Sequence, residues 1–187
     1  MRNKGFTLLE ITVVVAIITL LATIFLANYR GGEREFALKR SAHKLAQDLR
    51  TVQEMALSGQ RPPPIFGGGF PKGGYGIHFF PDSNSYILFA DCDGDKEYDL
   101  SGPAISCFEA GQPPDYLDYP EKIKDLFLEE GIKISEVSPG PSLTITFFPP
   151  DPTVTITPAA DFAIITLSFN DLTRRVYINT LGLIDVD

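Results

Sequence analysis

Three successive patterns of apolar and polar positions divide the chain. From Phe6 to Ala27 apolar residues run almost unbroken: these 22 residues carry one charge, Glu10, and no glycine or proline. At 1.5 Å per residue such a run makes a helix of about 33 Å, enough to cross a bilayer core of roughly 30 Å. A second pattern fills REFALKRSAHKLAQDLRTVQEMALSG, residues 34–59. Here Leu38, Ala42, Leu45, Leu49, Val52 and Ala56 recur at alternating spacings of four and three, while Lys39, Arg40, Lys44, Asp48 and Arg50 mostly face elsewhere. This predicts an amphipathic helix, stopped by Gly59 and Pro62-Pro63-Pro64. The third pattern is a series of short β-like runs bounded mostly by Pro, Gly, Asp or Asn: GYGIHFF, SYILFAD, IKISEV, LTITFF, TVTIT, AIITLSF and RRVYIN. The last two flank NDLT, a candidate hairpin turn. The expected fold is therefore α+β: a long N-terminal helix, membrane-spanning over 6–29 and amphipathic over 30–59, packed on a mainly antiparallel β head over 60–187.

Charge changes the picture in one respect. Residues 1–61 carry nine Lys/Arg against five Asp/Glu, and residues 62–187 carry seven against nineteen, so the head is acidic. Nucleic-acid binding depends on neutralising phosphates, and an acidic head argues against it. Solubility is the simpler use of that charge.

A secretory signal peptide is the first competitor for the apolar run. Its apolar region usually spans about 7–15 residues, so a spanning anchor fits better. Within the run, Thr12, Ala16, Thr19, Thr23 and Ala27 follow spacings of four, three, four and four, which sets a strip of small residues along one face. Such strips let helices approach closely in lipid. Glu10 is the apparent cost: a carboxylate deep in a membrane helix is disfavoured by roughly 2.5–3.5 kcal/mol on insertion scales and generally has a partner or a role. No Lys or Arg of the same helix stands within one turn of it.

The stretch KGFTLLE resembles the cleavage and methylation motif of type IV pilins and of the pseudopilins of type II secretion systems. The resemblance implies a short basic leader, residues 1–5, cut between Gly5 and Phe6 by a prepilin peptidase that also methylates the new N-terminus at Phe6. Glu10 then becomes the fifth residue of the mature chain, and its implied partner is the positive amine at another subunit's mature N-terminus. One departure is visible. Many type IV pilins bend this helix with a proline, and none occurs here; Gly31-Gly32 is the candidate for local flexibility instead. The helix ALKRSAHKLAQDLRTVQEMAL, the stretches GYGIHF and YILFADCDGDKEYD, and the closing RRVYINTLGLIDV are similar to the H-type minor pseudopilins. Basic residues lie on both sides of the apolar run, so the positive-inside rule does not orient it. The resemblance does, placing the N-terminus in the cytoplasm and the head beyond the cytoplasmic (inner) membrane.

The head offers one metal candidate. DCDGDKEYD gathers Asp91, Asp93, Asp95 and Asp99 after a predicted strand, and calcium takes six to eight oxygen ligands. The run lacks the full EF-hand pattern, and an acidic turn shaped by Asp and Gly competes with the calcium reading. Cys92 and Cys107 are compatible with a disulfide in an oxidising compartment. That bridge would close a loop of roughly 15 residues and contribute on the order of 3 kcal/mol in the chain-entropy model. IFGGGFPKGG lacks the ending of a phosphate-binding loop and reads as a connector. His43 and His78 have no triad or zinc partners in the sequence, and no G-x-S-x-G or H-E-x-x-H occurs, so catalysis is not expected.

Together these readings predict a pilin-like structural subunit of a type II secretion pseudopilus. Its partners would be the prepilin peptidase, other pilin or pseudopilin subunits and an inner-membrane assembly platform. The alternatives are a type IV pilus subunit for adhesion, motility or DNA uptake, and an uncleaved, membrane-anchored binding domain that depends on calcium.

Overall fold

The computed structural model describes residues 7–62, 70–99, 121–149 and 154–187, with the side chains of 25–31 outside that description. Gly5, Phe6, the side chain of Ala27 and Cys107 therefore lie outside the described residues. The chain divides into two compact units, Met1–Ala37 and Leu38–Asp187.

One helix, α1 (Leu8–Leu57), takes up both helical predictions. It continues through Gly31-Gly32, so the glycine pair does not interrupt it. In the first unit, large apolar side chains from Leu8 to Ile24 are exposed on all sides of the helix. A helix that is apolar all round needs lipid or other helices around it. Thr12, Thr19 and Thr23 donate their hydroxyls to the carbonyls of Leu8, Val15 and Leu20 at 2.9, 2.7 and 2.8 Å, so these polar groups are satisfied within the helix itself. Among the described residues no helix is long and apolar enough to cross a membrane.

The second unit begins where the amphipathic pattern begins to bury its stripe. Leu38, Ala42, Leu45, Leu49, Val52 and Ala56 are each at most 2% exposed. The helix ends in a Schellman arrangement: Gly59 has φ of +61°, its N–H donates to Ala56 O at 3.2 Å, and Gln60 N–H donates to Met55 O at 3.2 Å.

The stripe rests on two antiparallel sheets. The first has the order β3-β2-β1-β5-β6, from β1 (Gly74–Phe79), β2 (Ser85–Asp91), β3 (Lys122–Phe127), β5 (Leu143–Phe147) and β6 (Val154–Thr157). The second has the order β4-β7-β8-β9, from β4 (Lys133–Ser138), β7 (Phe162–Phe169), β8 (Leu172–Asn179) and β9 (Ile184–Val186). Polar contacts tie the helix to both. Tyr86 of β2 donates its hydroxyl to Asp48 at 2.5 Å, Lys44 donates to Phe127 O at 2.8 Å, and Arg50 donates to Ile184 O at 3.1 Å. Arg40 meets Glu129 through two bonds, at 2.5 and 2.7 Å. The NDLT turn is present, with Phe169 opposite Leu172 and Asn170 at φ +52°.

Strand alternation gives the first sheet two unlike faces. Tyr75, Ile77 and Phe79 share a face with Tyr86, Leu88, Leu143, Ile145 and Phe147, and Tyr86 reaches the helix from that side. Gly76, His78, Ile87, Phe89, Thr144 and Thr146 form the other face. A Cβ on Gly76 would run into the ring of Phe89, which explains the glycine there.

Candidate functional site

Two places carry the chemistry predicted from sequence. At the first, Thr7 precedes α1 and accepts the Glu10 N–H on Oγ1 at 3.3 Å and on its carbonyl at 3.1 Å. Thr7 is thus the N-cap and Glu10 the third helical residue of a T-x-x-E arrangement, of which the threonine half is made. A carboxylate in the first turn also lies close to the positive end of the helix dipole, which offsets part of its desolvation cost. The sequence reading missed this local reason for Glu10, although Thr followed three residues later by Glu before an apolar run is its signal. Thr12, Ala16, Thr19 and Thr23 of the small-residue strip are all exposed.

The second place is the segment after β2, which folds back over the outer face of the first sheet. Tyr98 is buried there, its ring 5.2 Å from His78 and 5.4 Å from Phe89. The Lys96 carbonyl accepts the Thr146 hydroxyl at 3.1 Å. The carboxylates of this segment organise its backbone. Asp91 accepts the N–H groups of Gly94 at 2.6 Å and Lys96 at 2.9 Å. Asp93 accepts from Asp95 at 3.1 Å, and Asp95 from Glu97 at 2.8 Å. This is the acidic-turn chemistry that competed with calcium in the sequence.

The same carboxylates also converge. Asp91, Asp93 and Glu121 bring ligand atoms within 4.8 Å of one another, and so do Asp93, Asp95 and Asp99. Half-buried Asp93 belongs to both sets, between buried Asp91 and Glu121 on one side and exposed Asp95 and half-buried Asp99 on the other. Glu121, which the sequence reading missed, is fully buried and accepts Cys92 N–H at 3.0 Å and Asp99 N–H at 3.4 Å. No local motif marks it: it returns to the loop from 30 positions beyond Asp91, at the start of β3. Burial, reinforced by the neighbouring aspartates, pushes its carboxyl up to about 8 and that of Asp91 up to about 6. Gly73 leaves the space that the Asp91 carboxylate fills, and a Cβ there would overlap it. Cys92 is disulfide-bonded, and Cys107 is the chain's other cysteine.

The two histidines part company. His43 is exposed on α1 and lines a cleft of about 290 Å³ with Lys39, Arg174, Val186 and Asp187. His78 is buried, with Nδ1 2.7 Å from Thr144 Oγ1, and burial lowers its pKa to about 4.

Residues 1–26 match the family model described as the prokaryotic N-terminal methylation motif. The match supports the type IV pilin and pseudopilin family for this chain, and with it processing by prepilin peptidase and assembly with other pilin subunits. It ends before the head begins, so it does not confirm the H-type minor pseudopilins. No curated protein and no solved structure matches the chain.

Proposed function

We propose that the chain is a pilin-like structural subunit of a type II secretion pseudopilus, made as a precursor and anchored in the inner membrane by the segment that begins at Phe6. The observation that carries this reading is the coincidence at one terminus of three features. They are the methylation motif over residues 1–26, Glu10 in the first turn of α1, and an apolar helix exposed on all sides from Leu8 to Ile24. Cleavage after Gly5 would leave a methylated amine on Phe6. Paired across subunits, that cation would neutralise Glu10, while the small-residue strip admits a neighbouring helix. The head, folded around residues 38–57 of the same helix, would form the filament surface.

The acidic segment suits a hard divalent cation such as calcium: its donors are carboxylate oxygens, two of them on buried residues whose ionised forms are costly without a counter-charge. Asp91, Asp93 and Glu121 would hold it, and the cation would lock the loop over the outer face of the first sheet.

Replacing Glu10 tests the assembly reading. The Glu10→Leu chain should enter the membrane and be processed, yet be missing from filaments. Incorporation at the wild-type level would overturn the role given to Glu10.

A further inference from the structure

The head carries exposed apolar side chains at both ends, at positions its fold holds firmly. At the end where α1 stops, Tyr75 donates its hydroxyl to Gln60 O at 2.6 Å. Phe162, Leu181 and Leu183 are 57%, 83% and 67% exposed there, with Phe148 beside them at 40%. Phe162 pairs with Asn179, and Val154 N–H donates to Thr180 O at 3.2 Å, which draws β5 and β6 to the same end. The loop that presents the two leucines is built around one side chain. Asn179 Oδ1 accepts Leu181 N–H at 3.1 Å and Leu183 N–H at 2.9 Å, and Gly182 N–H donates to Asn179 O at 2.9 Å.

At the other end, where Arg40 and Lys44 of α1 meet Glu129 and Phe127 O, Phe127 is 58% and Leu172 39% exposed. These two belong to one end because Phe127 opposes Ser85, Ser83 bridges to Ile134, and Lys133 opposes Ser168 near the β7–β8 turn. The eight residues of β7 set the two ends roughly 26 Å apart.

We infer that the Phe148–Phe162–Leu181–Leu183 end of one head docks on the Phe127–Leu172 end of a second copy of this chain. Two unlike patches at opposite ends of one molecule make a head-to-tail contact, which repeats indefinitely where a two-fold contact would stop at a dimer. Its size selects the occupant. Six partly exposed side chains bury on the order of 600 Å² in all, taking about 150–250 Å² for a complete aromatic, whereas a stable free-standing interface needs roughly 1,200–2,000 Å². Such a contact holds only between molecules already kept side by side, as neighbouring subunits joined by their helices are. The inference therefore rests on the filament reading.

The test is Leu172→Cys and Leu181→Cys together in the full chain, in native membranes, treated with a short bismaleimide, which leaves an intact disulfide unreacted. A ladder of dimers, trimers and longer species is expected from the double variant, and monomer alone from each single variant. A double variant that enters filaments but stays monomeric overturns the contact while the filament reading stands. Dimers from Leu181→Cys alone overturn it in favour of a two-fold arrangement. A chain still beginning at Met1 and absent from filaments overturns the filament reading and the contact that rests on it, so the N-terminus and the filament content tell the two failures apart.

Discussion

Acidification should destabilise the head through one side chain, His78. The imidazole is 6% exposed, packed against Phe80 at 4.4 Å and Tyr98 at 5.2 Å, and burial holds its pKa at about 4. In the unfolded chain it titrates near 6.5. The folded value is the lower one, so the contribution of the neutral ring is complete above about pH 6.5 and is lost as pH falls through 4. The gap of about 2.5 units corresponds to at most about 3.4 kcal/mol, of which about 2.8 kcal/mol falls between pH 7 and pH 4. Asp91 and Glu121 work in the opposite direction. Their folded pKa values are raised to about 6 and about 8, so their protonation stabilises the fold as pH falls toward their unfolded values. The wild-type profile sums these effects, and a variant is needed to separate them. His78→Asn keeps a group able to bond Thr144 and cannot take up a proton in this range. Urea unfolding of the full chain in mild detergent, followed by near-ultraviolet circular dichroism of the tyrosines, gives both stabilities at each pH. The wild type minus His78→Asn difference should shrink by about 2–3 kcal/mol from pH 7 to pH 4. A difference that stays flat, or that grows on acidification, would refute the burial of a neutral imidazole.

Further outcomes are expected. Calcium at 100 times its dissociation constant should stabilise the chain by about 2.7 kcal/mol, measured as a rise in unfolding temperature. Gly73→Ala, which forces the Asp91 carboxylate aside, should weaken that response, and a chain indifferent to millimolar calcium would remove the metal. Without divalent cations, the His78→Asn chain should gain stability as pH falls from 8 to 5, because Glu121 and Asp91 then take up protons that the unfolded chain does not yet bind; a loss would contradict their burial. Leu45→Ala, in a side chain wholly enclosed between helix and sheets, should cost about 2–5 kcal/mol in urea unfolding, and a cost below about 1 kcal/mol would mean that the helix is not part of the core. Tyr86→Phe leaves Asp48 without its hydroxyl donor and should cost about 1–3 kcal/mol by the same measurement.

What the sequence disclosed depended on whether the signal was local. The stripe from Leu38 to Ala56 was legible because a helix repeats every 3.6 residues, and every stripe position is buried. Seven strands were legible from β-branched and aromatic runs between turn residues. β3 was not, because KIKDLF is an edge strand whose residues are all partly or fully exposed, so no alternation marks it. β9, three residues long, lies below the length at which any period can be read. The acidic site was half legible: the four aspartates stand together in sequence, whereas Glu121 joins them only through the pairing of β2 with β3. The packing of Tyr98 onto His78 was invisible for the same reason, since the sheet face that carries His78, and that the loop bearing Tyr98 covers, is defined only by the strand register.

The most direct test of the account is the intact mass and N-terminal sequence of the protein purified from the membranes of its native host. A chain that begins at Phe6 and carries one added methyl group is the predicted result. A chain that still begins at Met1, in cells whose prepilin peptidase is active, would contradict it and return an uncleaved, membrane-anchored binding domain to first place.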